Sequence, residues 1–162
     1  MQILLNIAII TLTVVLTEAF AWAVHRYVMH SWGWRWHRSH HEPSKGVFEV
    51  NDLFALVFGA FALAVILLAG HYEINWLYWI GIGISVYGIL YFIVHDGLTH
   101  GRWPFNWLPK TGYLRRLVEA HHLHHAERSR TGGVSFGFLY APPVRVLRAQ
   151  LHAKRRARKD ER

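Results

Sequence analysis

ILLNIAIITLTVVLTEAFAWAVHRYVMH, residues 3–30, is a run of twenty-two largely apolar residues followed by two histidines five positions apart. A helix needs roughly 20 residues to cross a hydrocarbon core, and within residues 3–24 the sole charged side chain is Glu18. The stretch therefore reads as a membrane span that delivers imidazoles to the membrane surface. A cleaved leader is the competing reading. The missing basic lead-in and the length of the apolar run weigh against it.

Two further blocks repeat the pattern. LFALVFGAFALAVILLA (53–69) and WLYWIGIGISVYGILYFIV (76–94) carry no charge at all. Hydrophobic residues make up 52% of the 162 positions and charged ones only 17%, and the apolar residues are gathered into these blocks instead of recurring along the chain. The expected architecture is all-α: an integral membrane helical bundle of about three transmembrane helices. Cysteine is absent, which excludes a disulfide framework, thiolate metal sites, iron–sulfur clusters and a cysteine nucleophile.

Charge placement orients the bundle. Of the eighteen Lys and Arg, four lie between residues 25 and 51, fourteen after residue 94 and none elsewhere. By the positive-inside rule the N-terminus faces outward and the first span enters the cytoplasm near His25. Spans two and three then form a hairpin whose outer turn is GHYEIN (70–75), and everything from His95 onward is cytoplasmic. Both basic regions and nearly all the histidines fall on one side, as a helical polyhistidine cap.

Thirteen histidines occur, in HRYVMH (His25, His30), HRSHH (His37, His40, His41), HDGLTH (His95, His100) and HHLHH (His121, His122, His124, His125), with His71 and His152 isolated. Positions i, i+3 and i+4 share a helical face, so each HxxHH group aims three imidazoles at one point. The pairs five apart would diverge by roughly 140° on a regular helix. They need a break, a bulge or two different metals to serve, and Gly97 offers a break in the second pair. A lone histidine near a helix end usually binds nothing, and Trp32, Trp34 and Trp36 read most simply as an interfacial belt. Ten imidazoles in two repeated patterns at one membrane level read instead as ligands for more than one ion. Imidazole suits iron, zinc, copper and nickel; zinc is satisfied by about four ligands, and two irons fit ten imidazoles best.

The ordered set HRYVMHSWGWRWHRSHHEP, KGVFEVNDLFA, YFIVHDGLTHGRWPF and HHLHHAERSRTGGVSFGFLYAPP resembles the bacterial β-carotene hydroxylases, members of the fatty acid hydroxylase superfamily of membrane non-haem di-iron enzymes. The resemblance runs from the first span to about Pro143, although the wider superfamily is usually described with four spans. It implies a bacterial inner-membrane monooxygenase with its site on the cytoplasmic side. O2 and external electrons would place hydroxyls at C3 and C3′ of β-ionone rings, taking β-carotene to β-cryptoxanthin and zeaxanthin. The iron ligands it implies are His25, His30, His37, His40, His41, His95, His100, His121, His124 and His125. His122 falls at a variable position inside the last motif and reads as a residue that backs a ligand or lies at the surface. No flavin or nucleotide fingerprint is present, so a ferredoxin-like donor would supply electrons at the basic face. A carotenoid ketolase or a fatty acid or sterol hydroxylase is the neighbouring alternative, and a membrane metal-binding or transport protein the more distant one.

Several other residues carry expectations. Glu18, seven before His25 and near the same helical face, is an intramembrane carboxylate suited to orienting a ligand or satisfying a polar group. Asp96 follows His95 and would accept an N–H from a ligand imidazole; Glu119 and Glu127 carry the same, weaker claim. Asn51 and Asp52 read as helix caps. GGVSFGFLYAPP (132–143) is too short to span and reads as a wall of a substrate slot, a segment dipping into the bilayer, or plain packing. Residues 1–144 form the membrane-embedded domain and 145–162 a basic tail held at anionic lipid, whose removal should spare the chemistry. Nucleic-acid binding does not suit an embedded chain.

Overall fold

The computed structural model describes residues 1–42, 48–102 and 107–160; Lys45 and the last two residues of the basic tail lie outside them. Among the described residues all regular structure is helical. The three apolar blocks form α1 (Gln2–Val24), α3 (Asp52–His71) and α4 (Asn75–Tyr91), while α2 (Trp34–His41), α5 (Gly112–His125) and α6 (Val144–Asp160) are shorter or more polar.

Both α1 and α4 run on without interruption into π-helical turns, His25–Met29 and Phe92–Thr99. With these turns the apolar helices capable of crossing a membrane are Gln2–Met29, Asp52–His71 and Asn75–Thr99, of 28, 20 and 25 residues. The expected three-span, all-α bundle is what the structure shows.

α4 packs between α1 and α3, and two glycines make the approach possible. A Cβ on Gly83 would stand 2.6 Å from Thr13 Cβ in α1, and one on Gly81 would stand 2.6 Å from Ile66 Cγ1 in α3. Without side chains at those points the helix axes close to a separation that larger residues would forbid. The hairpin between α3 and α4 turns at the end remote from α2 and α5. His71 sits there, exposed, with its ring 4.8 Å from Tyr72.

At the opposite end α2, α5 and α6 cap the bundle. Val94 from the end of the third span, Leu117 and Ala120 from α5, Val134, and Leu147 and Leu151 from α6 form one buried cluster. The basic segment is therefore a helix with an apolar stripe in the core. The stripe reflects a 3.6-residue period that its high charge density obscures in the sequence. His152, on the same helix, is exposed.

Candidate metal centre

The two histidine pairs set five apart are brought together by the π-helical turns. In such a turn the N–H bonds the carbonyl five residues back: His30 N donates to His25 O at 3.1 Å, and His100 N to His95 O at 3.0 Å. The wider turn returns residue i+5 to the side of residue i, so the ring centroids lie 5.1 Å apart in the first pair and 4.7 Å in the second. A bulge thus resolves the spacing. Gly97 lies inside the second π-turn and does not break the helix.

The ten imidazoles predicted as ligands gather at one end of the bundle as two groups. Ligand nitrogens of His25, His30, His37, His41 and His124 all lie within 4.8 Å of one another, as do those of His40, His95, His100 and His121. His125 stands at the seam, with its Nε2 2.8 Å from that of His121 and its ring 4.5 Å from that of His41. Neither HxxHH motif converges on one point as its spacing suggests. α2 sends His37 and His41, one turn apart, to the first group and His40 to the second; α5 sends His124 to the first and His121 to the second. Each helix lies between the groups and serves both.

Hydrogen bonding around the rings decides what the groups can hold. In the first group Nδ1 of His25, His30, His41 and His124 donates to the carbonyl oxygens of Phe136, Arg130, Glu127 and Val134 at 2.9, 3.0, 3.1 and 2.9 Å. His37 Nδ1 donates to Asn51 Oδ1 at 2.7 Å. An oxygen of this kind only accepts, so each Nδ1 carries the ring proton and each Nε2 is a bare lone pair. Yet Nε2 of His25 lies 3.1 Å from that of His37, and Nε2 of His30 lies 3.0 Å from that of His124. No hydrogen lies between them, and lone pairs at that range repel unless a cation is shared. Two nitrogens each about 2.1 Å from one ion and at right angles would stand about 3.0 Å apart.

The second group is alike in this respect. His40 Nδ1 donates to Glu49 Oε2 at 2.9 Å and His95 Nδ1 to Asp96 Oδ1 at 2.7 Å, leaving their Nε2 atoms 2.9 Å apart. His100 Nε2 is buried with no hydrogen-bond partner in the protein. These donors fit metal ions.

Burial keeps the rings neutral, as ligation requires. Desolvation and the neighbouring imidazoles hold His37 at about 3, and burial with the repulsion of His30 holds His41 at about 4. His125 is held at about 2, first by burial and then by His41 and His100. His40, His121 and His124 are pushed well below the ordinary histidine range, by burial first.

Comparison with known proteins places this arrangement. Residues 10–141 match the family model described as fatty acid hydroxylase. The chain is 56% identical over 151 residues to the β-carotene hydroxylase of Pseudescherichia vulneris, covering 93% of this chain and 85% of that protein. The chain belongs to the fatty acid hydroxylase family, among the β-carotene hydroxylases. The Pantoea ananas β-carotene hydroxylase is 54% identical over 153 residues, covering 94% of this chain and 87% of that protein. The chloroplastic β-carotene 3-hydroxylase 1 of Arabidopsis thaliana is 39% identical over 125 residues, which cover 75% of this chain and 39% of the plant protein. No solved structure shows significant similarity.

In this fatty acid hydroxylase family member the residues outside the histidine motifs divide differently from their sequence reading. Asp96 does meet His95, its Oδ1 accepting from the ring Nδ1 at 2.7 Å. Glu18 touches no imidazole: its Oε1 accepts the main-chain N–H groups of Phe138, Leu139 and Tyr140 at 2.9, 3.0 and 2.9 Å, and its Oε2 the Tyr87 hydroxyl at 2.8 Å. The three amides form a nest around one carboxylate oxygen. Gly137 permits the wrap, since a Cβ there would stand 2.5 Å from Tyr140 O and 2.8 Å from Glu18 Oε1. Glu18 thereby anchors the 132–143 segment against the spans, and Phe138 stacks on His25 with centroids 5.1 Å apart and planes 11° from parallel.

Asn51 sits at the start of α3 but makes no side-chain cap; it backs His37 instead. Glu49 was missed altogether, and the local sequence carries no signal for it beyond its place in KGVFEVNDLFA. Asp52 pairs with Arg102 at 2.8 Å. Glu119 binds Arg115 at 2.6 Å, away from the imidazoles. Glu127 meets His41 through its carbonyl while its carboxylate pairs with Arg158. Of the supposed belt, Trp34 packs on His30 and His41 with centroids 5.3 Å from each, whereas Trp32 is exposed. His122 is exposed, as expected.

Farther down the spans an apolar cleft of about 280 Å³ opens between α1, α3 and α4, lined by Leu16, Thr17, Phe20, Phe58, Phe61 and Ile84 among others. Thr17 to His25 is eight residues, or about 12 Å of helix.

Proposed function

We propose that the chain hydroxylates the β-ionone rings of carotenoids at C3 and then C3′, converting β-carotene through β-cryptoxanthin to zeaxanthin. The observation that carries this reading is the convergence of bare Nε2 lone pairs into two buried groups at the end of an apolar bundle, in a chain that belongs to this family. The first group offers five donors, more than tetrahedral zinc uses, which favours iron there, and the family carries that reading to the second. We assign His25, His30, His37, His41 and His124 to one iron and His40, His95, His100 and His121 to the other, with His125 at the seam between them. When bound, the two irons would supply the activation of O2 that lets an oxygen atom enter a ring C–H bond.

The chain's own residues do the rest. Main-chain carbonyls, Asn51, Glu49 and Asp96 fix the tautomers so that every backed ring presents Nε2 inward. Phe138, held by the Glu18 nest, forms an apolar wall beside His25. The cleft between the spans offers a hydrocarbon a path within the bilayer, where such a substrate concentrates, and holding the ring there supplies proximity.

With no cysteine and no nucleotide fingerprint in the sequence, electrons come from a separate donor, a ferredoxin-like protein whose acidic surface suits the basic end of the chain. The excess of lysine and arginine at that end supports a cytoplasmic orientation for it and the histidines, in keeping with a bacterial inner-membrane protein. Residues 1–144 hold the ten imidazoles, and 145–162 form a basic segment that packs Leu147 and Leu151 into the core beneath them, so its removal would not spare the chemistry.

The test is a pigment assay in cells that accumulate β-carotene, with parent, His40→Ala and His124→Ala chains. Zeaxanthin from the parent and unchanged β-carotene from both variants are expected. Ketocarotenoids, or unchanged β-carotene from a parent loaded with iron, would overturn the assignment. Metal analysis of the purified parent should give about two irons per chain; zinc as the sole tight ion, with no activity after iron reconstitution, would favour a metal-binding protein.

A further inference from the structure

The outward nitrogens of the two groups meet different chemistry. All five in the first group end on neutral acceptors, four main-chain carbonyls and the Asn51 amide oxygen. The Glu127 carboxylate acts on His41 but backs no ring and is paired with Arg158, and the charged groups acting on His30 are cations, Arg26 and Lys154. In the second group two rings end on carboxylates: Glu49 on His40 and Asp96 on His95. Arg102 pairs at 3.0 Å with the same Glu49 oxygen that backs His40 and at 2.8 Å with Asp52, so it fixes Glu49 while offsetting part of its charge, and it also acts on His100.

A carboxylate that accepts the Nδ1 proton draws it away from the ring and makes Nε2 a stronger donor to a cation; a carbonyl does so more weakly. In a buried site a carboxylate's own charge also attracts the ion with little screening, more fully from Asp96 than from Glu49, whose charge Arg102 partly offsets. The two sites cannot then be equivalent.

Resting on the reading of both groups as metal sites, we propose that Glu49 and Asp96 are positioning residues that make the His40, His95, His100 and His121 site the tighter of the two, so that it fills first. The five-histidine site, although it has more ligands, is backed only by neutral oxygens and loads second. The enzyme therefore passes through a state with one metal in the carboxylate-backed site.

The experiment is a cobalt(II) titration of the metal-free full-length protein in detergent, followed by visible absorption and by chelator competition. Two steps separated by at least about tenfold are expected. His100→Ala should abolish the tighter step and His30→Ala the weaker. Glu49→Gln and Asp96→Asn keep an oxygen acceptor but remove its charge, and should weaken the tighter step by about 10–100-fold. An unchanged weaker step in the same variants shows that the fold is intact. The reciprocal change, Asn51→Asp, should tighten the weaker step. Two equal steps in the parent, loss of the tighter step in His30→Ala, or no effect of Glu49→Gln and Asp96→Asn would each overturn the inference while leaving two metal sites in place. A parent that binds no cobalt would overturn the metal reading itself.

Discussion

Glu18 and Phe138, 120 residues apart in the chain, are joined by a 2.9 Å hydrogen bond from the Phe138 amide to the Glu18 carboxylate. The same oxygen takes the next two amides, so a single side chain in the first span fixes the segment whose Phe136 and Val134 carbonyls back His25 and His124.

Glu18→Ala leaves those amides unpaired. A buried N–H without a partner costs about 1–3 kcal/mol, and the released segment would also free His25 and His124. The expected result is a lower unfolding midpoint in detergent together with loss of metal from the five-histidine site, with Glu18→Gln intermediate. A Glu18→Ala chain that melts with the parent and keeps both metals would show that the nest holds nothing in place.

Glycines on α4 separate packing from propensity. Gly83→Ala puts a methyl against Thr13, and overpacking of this kind costs about 1–3 kcal/mol. Gly88→Ala meets nothing within 4 Å and gains up to about 1 kcal/mol of helix propensity. Denaturant titration in detergent should move the two variants in opposite directions.

Acid should destabilise the metal-free protein. His37, His41 and His100 are held at about 3, 4 and 4, in each case first by burial, while the unfolded chain titrates at 6.5. Between those limits the unfolded state binds more protons, so stability is full above 6.5 and falls as pH drops toward 4. Unfolding midpoints of the chelated protein between pH 8 and 4 provide the measurement. Bound metal competes with protons for the same nitrogens and should shift the loss to lower pH.

The basic C-terminal helix divides into core and surface. Leu147 is 1% exposed within the cluster around Val94 and Leu117, and Leu147→Ala should cost about 2–5 kcal/mol. Exposed Arg156→Ala should stay within about 0.5 kcal/mol. Truncation before residue 144 should therefore impair folding and not merely membrane retention, read as detergent-soluble yield and metal content.

Much of this protein is local information. A run of apolar residues long enough to cross the bilayer spans it whatever its neighbours are, so α1, α3 and α4 could be read directly, as could the histidine clusters at their ends. Asp96 was legible because it adjoins His95. Glu49 and Asn51 were not, because each meets a histidine nine or more positions away, across the connection between α2 and α3, where spacing carries no period.

The sequence by itself determined three membrane-length helices, a surplus of imidazoles at one end of them, and the absence of any thiol chemistry, since these follow from hydropathy, spacing and composition. The tertiary structure alone decided how the ten rings divide, that two π-turns fold each five-residue pair onto one side, and that Glu18 serves a distant loop and not a ligand. The reason is physical: which nitrogen points inward is set by the oxygen behind it, and those oxygens arrive from 86 to 111 residues away for His25, His30 and His41 or from across a turn for His124.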